Sequence, residues 1–265
     1  MNMATASNVG VSHKTHYARL GHASQDLIPK ILQELLLYLE HPNQLFHKCS
    51  NNRDLQERGL SSEESNKIKT ASTKGYVNFD IPLVFTILRN INTRIAPPTN
   101  GWRSNADPLP HQTTIGDDLQ RCRKTRNQII HRGNTVVTDK ELDDYFNLFK
   151  DIAGRFEKVL SKTPGEFVTK FEHLKICCMD EKKEKIYLEN IRDLAENAKE
   201  REEIYLEKIK ELEEREREKS NHISQLEDLK RKENETHENH ILQLESTLEE
   251  SKMESEERIS LLEGN

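Results

Sequence analysis

An all-α fold is predicted by three features of this 265-residue chain. Apolar residues recur with a helical period in four or five segments between Tyr17 and Leu160. No segment has the strict alternation of a half-buried strand. From about Asp180 onward the chain is Glu-, Lys- and Arg-rich, with sparse leucine and isoleucine and no proline. The expected architecture is a helical bundle followed by a long C-terminal helix or coiled coil. Residues 1–15 are expected to be disordered, 16–162 to form the bundle, 163–179 a connecting helix and 180–263 the coiled coil or charged helix.

The first helix is expected from Tyr17 to Glu40, with Leu20, Leu27, Ile31, Leu35 or Leu36, and Leu39 on one broad face. His41-Pro42-Asn43 ends it. Asn51 to Gly75 is polar, and Ser61-Ser62-Glu63-Glu64 offers a cap for a short helix anchored by Ile68. Tyr76 to Ile95 is densely apolar. A buried strand over Leu83–Ile87 is one reading, but the segment's length and its continuing 3.6 period favour a buried helix, capped by Asp80 with Pro82 in the first turn. Ala96 to Pro110 is a proline- and glycine-containing loop holding the single tryptophan, Trp102, as a plug over the core. A helix from Ile115 to Arg132 is expected to end on a left-handed Gly133. Thr138 and Glu141 then form a capping box opening a helix with Leu142, Tyr145 or Phe146, Phe149, Ile152 or Ala153, Phe156, and Val159 with Leu160 on its apolar face.

Along the tail, a continuous helix would span about 120 Å. One heptad segment carries Ile209, Leu212, Ile223 and Leu226, and a second carries Ile241, Leu244, Leu248 and Leu262. They are out of phase by four residues, which is a stutter. Glu216, Lys219, Lys230 and Ser251 occupy core positions, so any coiled coil is weak; the alternative is a solvated single helix held by i,i+4 Glu–Lys pairs.

Composition narrows the function classes. The net charge of −6 argues against a protein that binds nucleic acid as a polycation. No secretory leader and no run of about 20 apolar residues is present, so a cytoplasmic protein without membrane association is expected. Cys49, Cys122, Cys177 and Cys178 fit neither a disulfide framework nor a zinc pattern, and neither a metal nor a cofactor is expected.

The stretch TRNQIIHRG, residues 125–133, departs from helical amphipathicity. Arg126 falls on the centre line of a stripe formed by Ile115, Leu119, Cys122, Ile129 and Ile130. One reading is structural: the arginine snorkels or binds Asp117, Asp118, Asp143 or Asp144, and His131 sits at the negative end of the helix dipole. The other is metal-free RNA cleavage. A histidine titrates near neutrality and can move the 2′-hydroxyl proton, an arginine fork stabilises the phosphorane, and Asn127 orients either. Similar Arg/His spacings occur at Arg215/His222, Arg217/His222 and Arg231/His237, but only at Arg126 does asparagine follow and an apolar stripe face the arginine. Arg126 and His131 point about 140° apart on one helix, so two copies across a two-fold axis would bring Arg126 of each to Asn127 and His131 of the other.

FDIPLVFTILRNI, PPTNGW and GDDLQRCRKTRNQIIHRG, followed by a helix ending GRFEKVL, resemble the HEPN domain of the DAZ-interacting zinc-finger ubiquitin ligase type, the DZIP3-like branch. The resemblance covers about Tyr17 to Leu160. It implies an all-α bundle that often dimerises, and carries the metal-independent ribonuclease motif onto Arg126, Asn127 and His131. It also draws in Asp117, Asp118, Arg121 and Arg123, as residues that bind RNA or lock helices together. The RING-type zinc spacing of the ligase is not seen, so ubiquitin ligase activity is not implied. The resemblance thus implies a HEPN protein, homodimeric through bundle and tail, engaging RNA or signalling proteins in a stress or innate-immune setting and cleaving RNA through Arg126 and His131. The alternative is a non-catalytic oligomeric adaptor whose bundle docks protein partners.

Overall fold

The computed structural model describes residues 15–91, 94–177 and 179–263, with side chains for all of these except 57, 58 and 256–263. Of the expected disordered segment only Thr15 is described, in the first helical turn; the rest, Cys178 and the Leu262 side chain lie outside the described residues. Every regular element among the described residues is helical. The chain divides into two compact units, 1–197 and 198–265.

Helix α1 covers residues 15–39 and contains one π-helical turn, Ala23–Leu27. That turn immediately precedes Pro29, whose ring would collide with the Gln25 carbonyl in an unbroken α-helix. The Pro42 expected only to stop α1 also starts the next helix. α2 is Pro42–Ser50, with Pro42 in its first turn and the His41 ring accepting from the Asn43 N–H at 3.3 Å. α3 (Arg53–Arg58) is capped by Asn52, and α4 (Ser62–Lys74) by the Ser61/Glu64 box. α5 (Ile81–Ile91) is a helix and not a strand, with Asp80 accepting from the Leu83 N–H at 3.0 Å.

α6 spans Ile115–Ile130 and α7 Asp139–Val159, the latter opened by the Thr138/Glu141 box. The end of α6 differs from expectation, because Gly133 is not among the left-handed glycines. His131 closes the helix in right-handed geometry, its N–H donating to Asn127 O. The following turn is held by side chains instead. Asn134 Oδ1 accepts from the Val136 N–H at 3.1 Å, and Arg132 donates to Val136 O at 2.6 Å and Glu141 at 2.8 Å.

The core joins α1, α5, α6 and α7, with Leu32, Leu35, Leu83, Ile87, Leu119, Phe146 and Phe149 all buried. Trp102 is half-buried, edge-on to Phe85 at 5.6 Å between ring centroids. The core runs past the boundary expected at 162. α8 (Val168–Ile176) contributes fully buried Phe167, just before its start, and Phe171. α9 (Glu181–Glu263) contributes Ile191 from its first turns. There Tyr187 stacks on His22 at 4.7 Å and donates to Asp26. Ile191 packs where a Cβ on Gly21 would stand, 2.7 Å from Ile191 Cδ1. Phe167, Phe171 and Leu174, and then Tyr187 and Ile191, keep a helical spacing, but each run is only two or three residues long.

Another glycine fixes how α6 enters the domain. A Cβ on Gly116 would lie 2.3 Å from Pro98 N and 2.4 Å from Pro97 C, both backbone atoms, and the Gly116 N–H donates to Ala96 O at 3.0 Å. The expected effect of Gly116→Ala is a loss of about 1–3 kcal/mol of stability from overpacking, read as a lower urea midpoint with an unchanged m-value.

Candidate functional site

α6 divides chemically at its middle. Its first half is polar yet buried. Thr114 caps it, accepting from the Asp117 N–H, and Asp117 returns the bond to the Thr114 N–H. Asp117 also accepts from Thr99, from its N–H at 2.7 Å and its hydroxyl at 2.8 Å. Burial pulls the Asp117 carboxyl upward, but the hydrogen bonds from Thr99 and Thr114 prevail and hold it below its ordinary value.

The next residue, Asp118, is 1% exposed and receives two arginines. Arg121 donates to Oδ1 at 2.9 Å. Arg155 of α7 donates in bidentate fashion, Nε to Oδ2 at 2.6 Å and Nη2 to Oδ1 at 2.8 Å. The hydrogen bond to Asp118 raises the Arg155 pKa further above neutrality. Arg121 also donates to the carbonyls of Leu109 and Gln112, both at 2.6 Å. Arg123 lays its guanidinium 4.6 Å from the centre of the Phe85 ring, and burial lowers its pKa. Gln120 and Lys124 bond to the backbone of the loop before α6, at Ser104 and Asn105. Asp117, Asp118, Arg121 and Arg123 are therefore all engaged inside the domain, bracing α6 against the proline loop, α5 and α7.

The second half of α6 is open. Arg126 is half-buried and its Nη1 donates to Asn127 Oδ1 at 3.1 Å; Asn127 and His131 are exposed. Of the carboxylates expected as structural partners for Arg126, Asp117 is tied to Thr99 and Thr114, Asp118 to Arg121 and Arg155, and Asp143 pairs with Lys175 of α8 at 2.6 Å. The helix holds its geometry through Ile130 and the His131 N–H still bonds to Asn127 O, so Arg126 and His131 diverge by about 140° around α6. Behind them Ile129 and Ile130 are buried, and Tyr17 donates to Ile129 O at 2.8 Å. The open end is thus seated on a rigid base.

Two residues outside the expected set carry much of this frame. Arg155 lies in the GRFEKVL segment and completes the Asp118 pair. Glu157, 5% exposed, accepts the N–H groups of Gly165, Phe167 and Val168 and so caps α8 from the side. Burial opposes its ionisation, but these backbone bonds hold its pKa below the ordinary value. Its signal is an acid directly beside Phe156 on the apolar face of α7.

Among the described residues no group of three or more His, Cys, Asp or Glu could hold a metal ion. No described helix is long and apolar enough to cross a membrane. Cys49 and Cys122 are buried free thiols; burial pushes Cys49 up to about 12 and Cys122 also upward, which makes both poor nucleophiles.

The sequence profile of the family described as DZIP3/hRUL138-like HEPN matches residues 35–187, more than half of the 265-residue chain. The chain belongs to the DZIP3/hRUL138-like HEPN family. Neither the curated proteins nor the solved structures compared with it give a match. The matched span reaches from α1 through α8 to Tyr187, so the HEPN domain takes in the Phe167, Phe171 and Tyr187 contacts that lie beyond the bundle expected from sequence.

The buried charges of this HEPN domain make two outcomes measurable. Asp118→Asn leaves two arginines facing a neutral amide in a buried site and is expected to cost about 3 kcal/mol or more, measured by urea unfolding. Glu141, bonded by the Thr138 N–H and Arg132, has its carboxyl held down to about 2 against an ordinary 4.5. A depressed carboxylate contributes stability above its unfolded value, lost as the pH falls toward the folded one. Unfolding free energy should therefore drop between about pH 4.5 and 2, and Glu141→Gln should flatten that part of the profile.

Proposed function

We propose that this protein is a cytoplasmic, RNA-engaging HEPN domain, acting as a metal-independent endoribonuclease in a stress or innate-immune setting. Arg126, Asn127 and His131 form its half-site. The observation that carries this reading is the division of α6. Asp117, Asp118, Arg121 and Arg123 are consumed by the fold, whereas Asn127 and His131 are exposed and Arg126 stands half-buried beside them, bonded to the Asn127 amide. In this reading His131 removes the proton from a ribose 2′-hydroxyl. The 2′-oxygen attacks the adjacent phosphorus, Arg126 stabilises the charge that builds on the phosphoryl oxygens, and the 5′-oxygen leaves and is protonated. The products are a 2′,3′-cyclic phosphate and a 5′-hydroxyl. Because the two side chains diverge on one helix, a second copy of the domain supplies the facing Arg126 or His131.

The adaptor reading is favoured by one separate observation, the exposure of Leu37 and Tyr38 on α1 and Phe46 on α2. Such apolar side chains suit a protein-docking surface.

Cleavage of mixed single-stranded and hairpin RNA in the presence of EDTA separates the two. Wild type should leave 2′,3′-cyclic phosphate ends. Arg126→Ala and His131→Ala should each reduce the rate by about 10²–10⁴-fold while unfolding at the wild-type urea midpoint. No cleavage by folded, dimeric wild type would overturn the ribonuclease reading in favour of the adaptor.

A further inference from the structure

The described residues of the second unit form one helix whose apolar side chains stand exposed. Tyr205, Ile209, Leu212, Ile223 and Leu226 are each 50–64% exposed. They fall on one heptad seam, with Glu202, Ile209, Glu216, Ile223 and Lys230 at a and Ala198, Tyr205, Leu212, Lys219, Leu226 and Glu233 at d. A seam of this kind needs a partner, and its charges say which arrangement that partner takes.

In a parallel, in-register pair each core residue faces its own copy. Glu202, Glu216, Lys219, Lys230 and Glu233 would each meet a like charge at a desolvated position, which is destabilising. In an antiparallel pair each a position faces a d position. With the two-fold axis between Arg217 and Glu218, Glu216 faces the partner's Lys219 and Lys219 faces the partner's Glu216. The next two layers outward are apolar on both sides. Leu212 meets the partner's Ile223 and Ile209 meets the partner's Leu226, followed by Tyr205 against the partner's Lys230. The remaining like-charge layer, Glu202 against the partner's Glu233, lies at the end of the paired segment. Sliding one helix by a heptad in either direction sets Glu216 or Lys219 against leucine or isoleucine, so the register is selected along with the direction.

We propose that residues 198–237 pair with a second copy of the chain as an antiparallel coiled coil, centred on two reciprocal Glu216–Lys219 contacts. The buried charges that weaken the coil are then its address: they make one orientation and one register better than the rest.

Mixing full-length Leu212→Cys chains with full-length Ile223→Cys chains under oxidised glutathione tests this directly. The expected product is a disulfide between position 212 of one chain and position 223 of the other, identified by mass spectrometry of the linked peptides, in at least about tenfold excess over 212–212 and 223–223 links. A second measurement leaves the seam untouched: a spin label at exposed Glu200→Cys in a Cys177→Ser/Cys178→Ser background. The antiparallel register places the two labels about 50 Å apart, counted at 1.5 Å per residue. Dominant 212–212 and 223–223 links, label distances below about 25 Å as side-by-side helices give, or a monomer in sedimentation equilibrium at tens of micromolar would each overturn the proposal.

Discussion

The structure depends on one desolvated carboxylate. Asp118 sits 1% exposed where α6, α7 and the proline loop converge, and an isolated charge there would cost several kcal/mol. Its oxygens are instead divided between Arg121 and Arg155. Arg121 passes the connection on to Leu109 and Gln112 of the loop, and Arg155 anchors it to α7. Arg155 reaches both oxygens and Arg121 shares Oδ1, so the loop and both helices are held in one arrangement by a single group. Asp117, tied by Thr99 and Thr114, repeats the device a residue earlier and fixes where α6 begins. Gly116 beside them admits the loop backbone at a distance no side chain would permit.

This arrangement has a consequence for the exposed end of the same helix. A helix clamped at its N-terminal half has little freedom to rotate or slide, so Arg126, Asn127 and His131 are presented in a fixed direction although little of the domain covers them. The Tyr17 bond to Ile129 O and the buried Ile129 and Ile130 secure the last turn from beneath. Asp117, Asp118 and Arg121 in the first half of the helix are buried, whereas Asn127 and His131 at its end are exposed.

The helices were legible in the sequence wherever periodicity and caps agreed. α4 and α7 announce themselves through Ser61/Glu64 and Thr138/Glu141, and α5 through the apolar run after Asp80. α2 was hidden because a proline reads equally as the stop of one helix and the first turn of the next. The left-handed end expected at Gly133 failed because Asn134 and Arg132 form the turn with side chains, removing the need for a glycine. Phe167, Phe171 and Leu174 keep a helical spacing, but a run of three in so short a segment reads equally as a connecting helix. At the site, Arg126 could be singled out as a charge on an apolar stripe. The roles of Asp117, Asp118, Arg121 and Arg123 could not be assigned, because their partners Thr99, Phe85 and Arg155 are distant in the chain and only folding brings them together.

Charges on apolar positions recur in this chain, and the HEPN domain shows how such charges are accommodated. Asp118 lies on a buried face and is tolerated because Arg121 of its own helix and Arg155 of α7 both reach it. Glu216 and Lys219 lie on the apolar seam of the tail, three residues apart and of opposite sign, with isoleucine and leucine symmetrically placed at 209, 212, 223 and 226. Those four apolar seam positions are symmetric about the midpoint of 217 and 218. Such symmetry has no use in a solvated helix or in a parallel pair, where each residue meets only its own copy. In an antiparallel pair it brings acid to base and apolar to apolar at once, which is the solution the domain itself uses at Asp118.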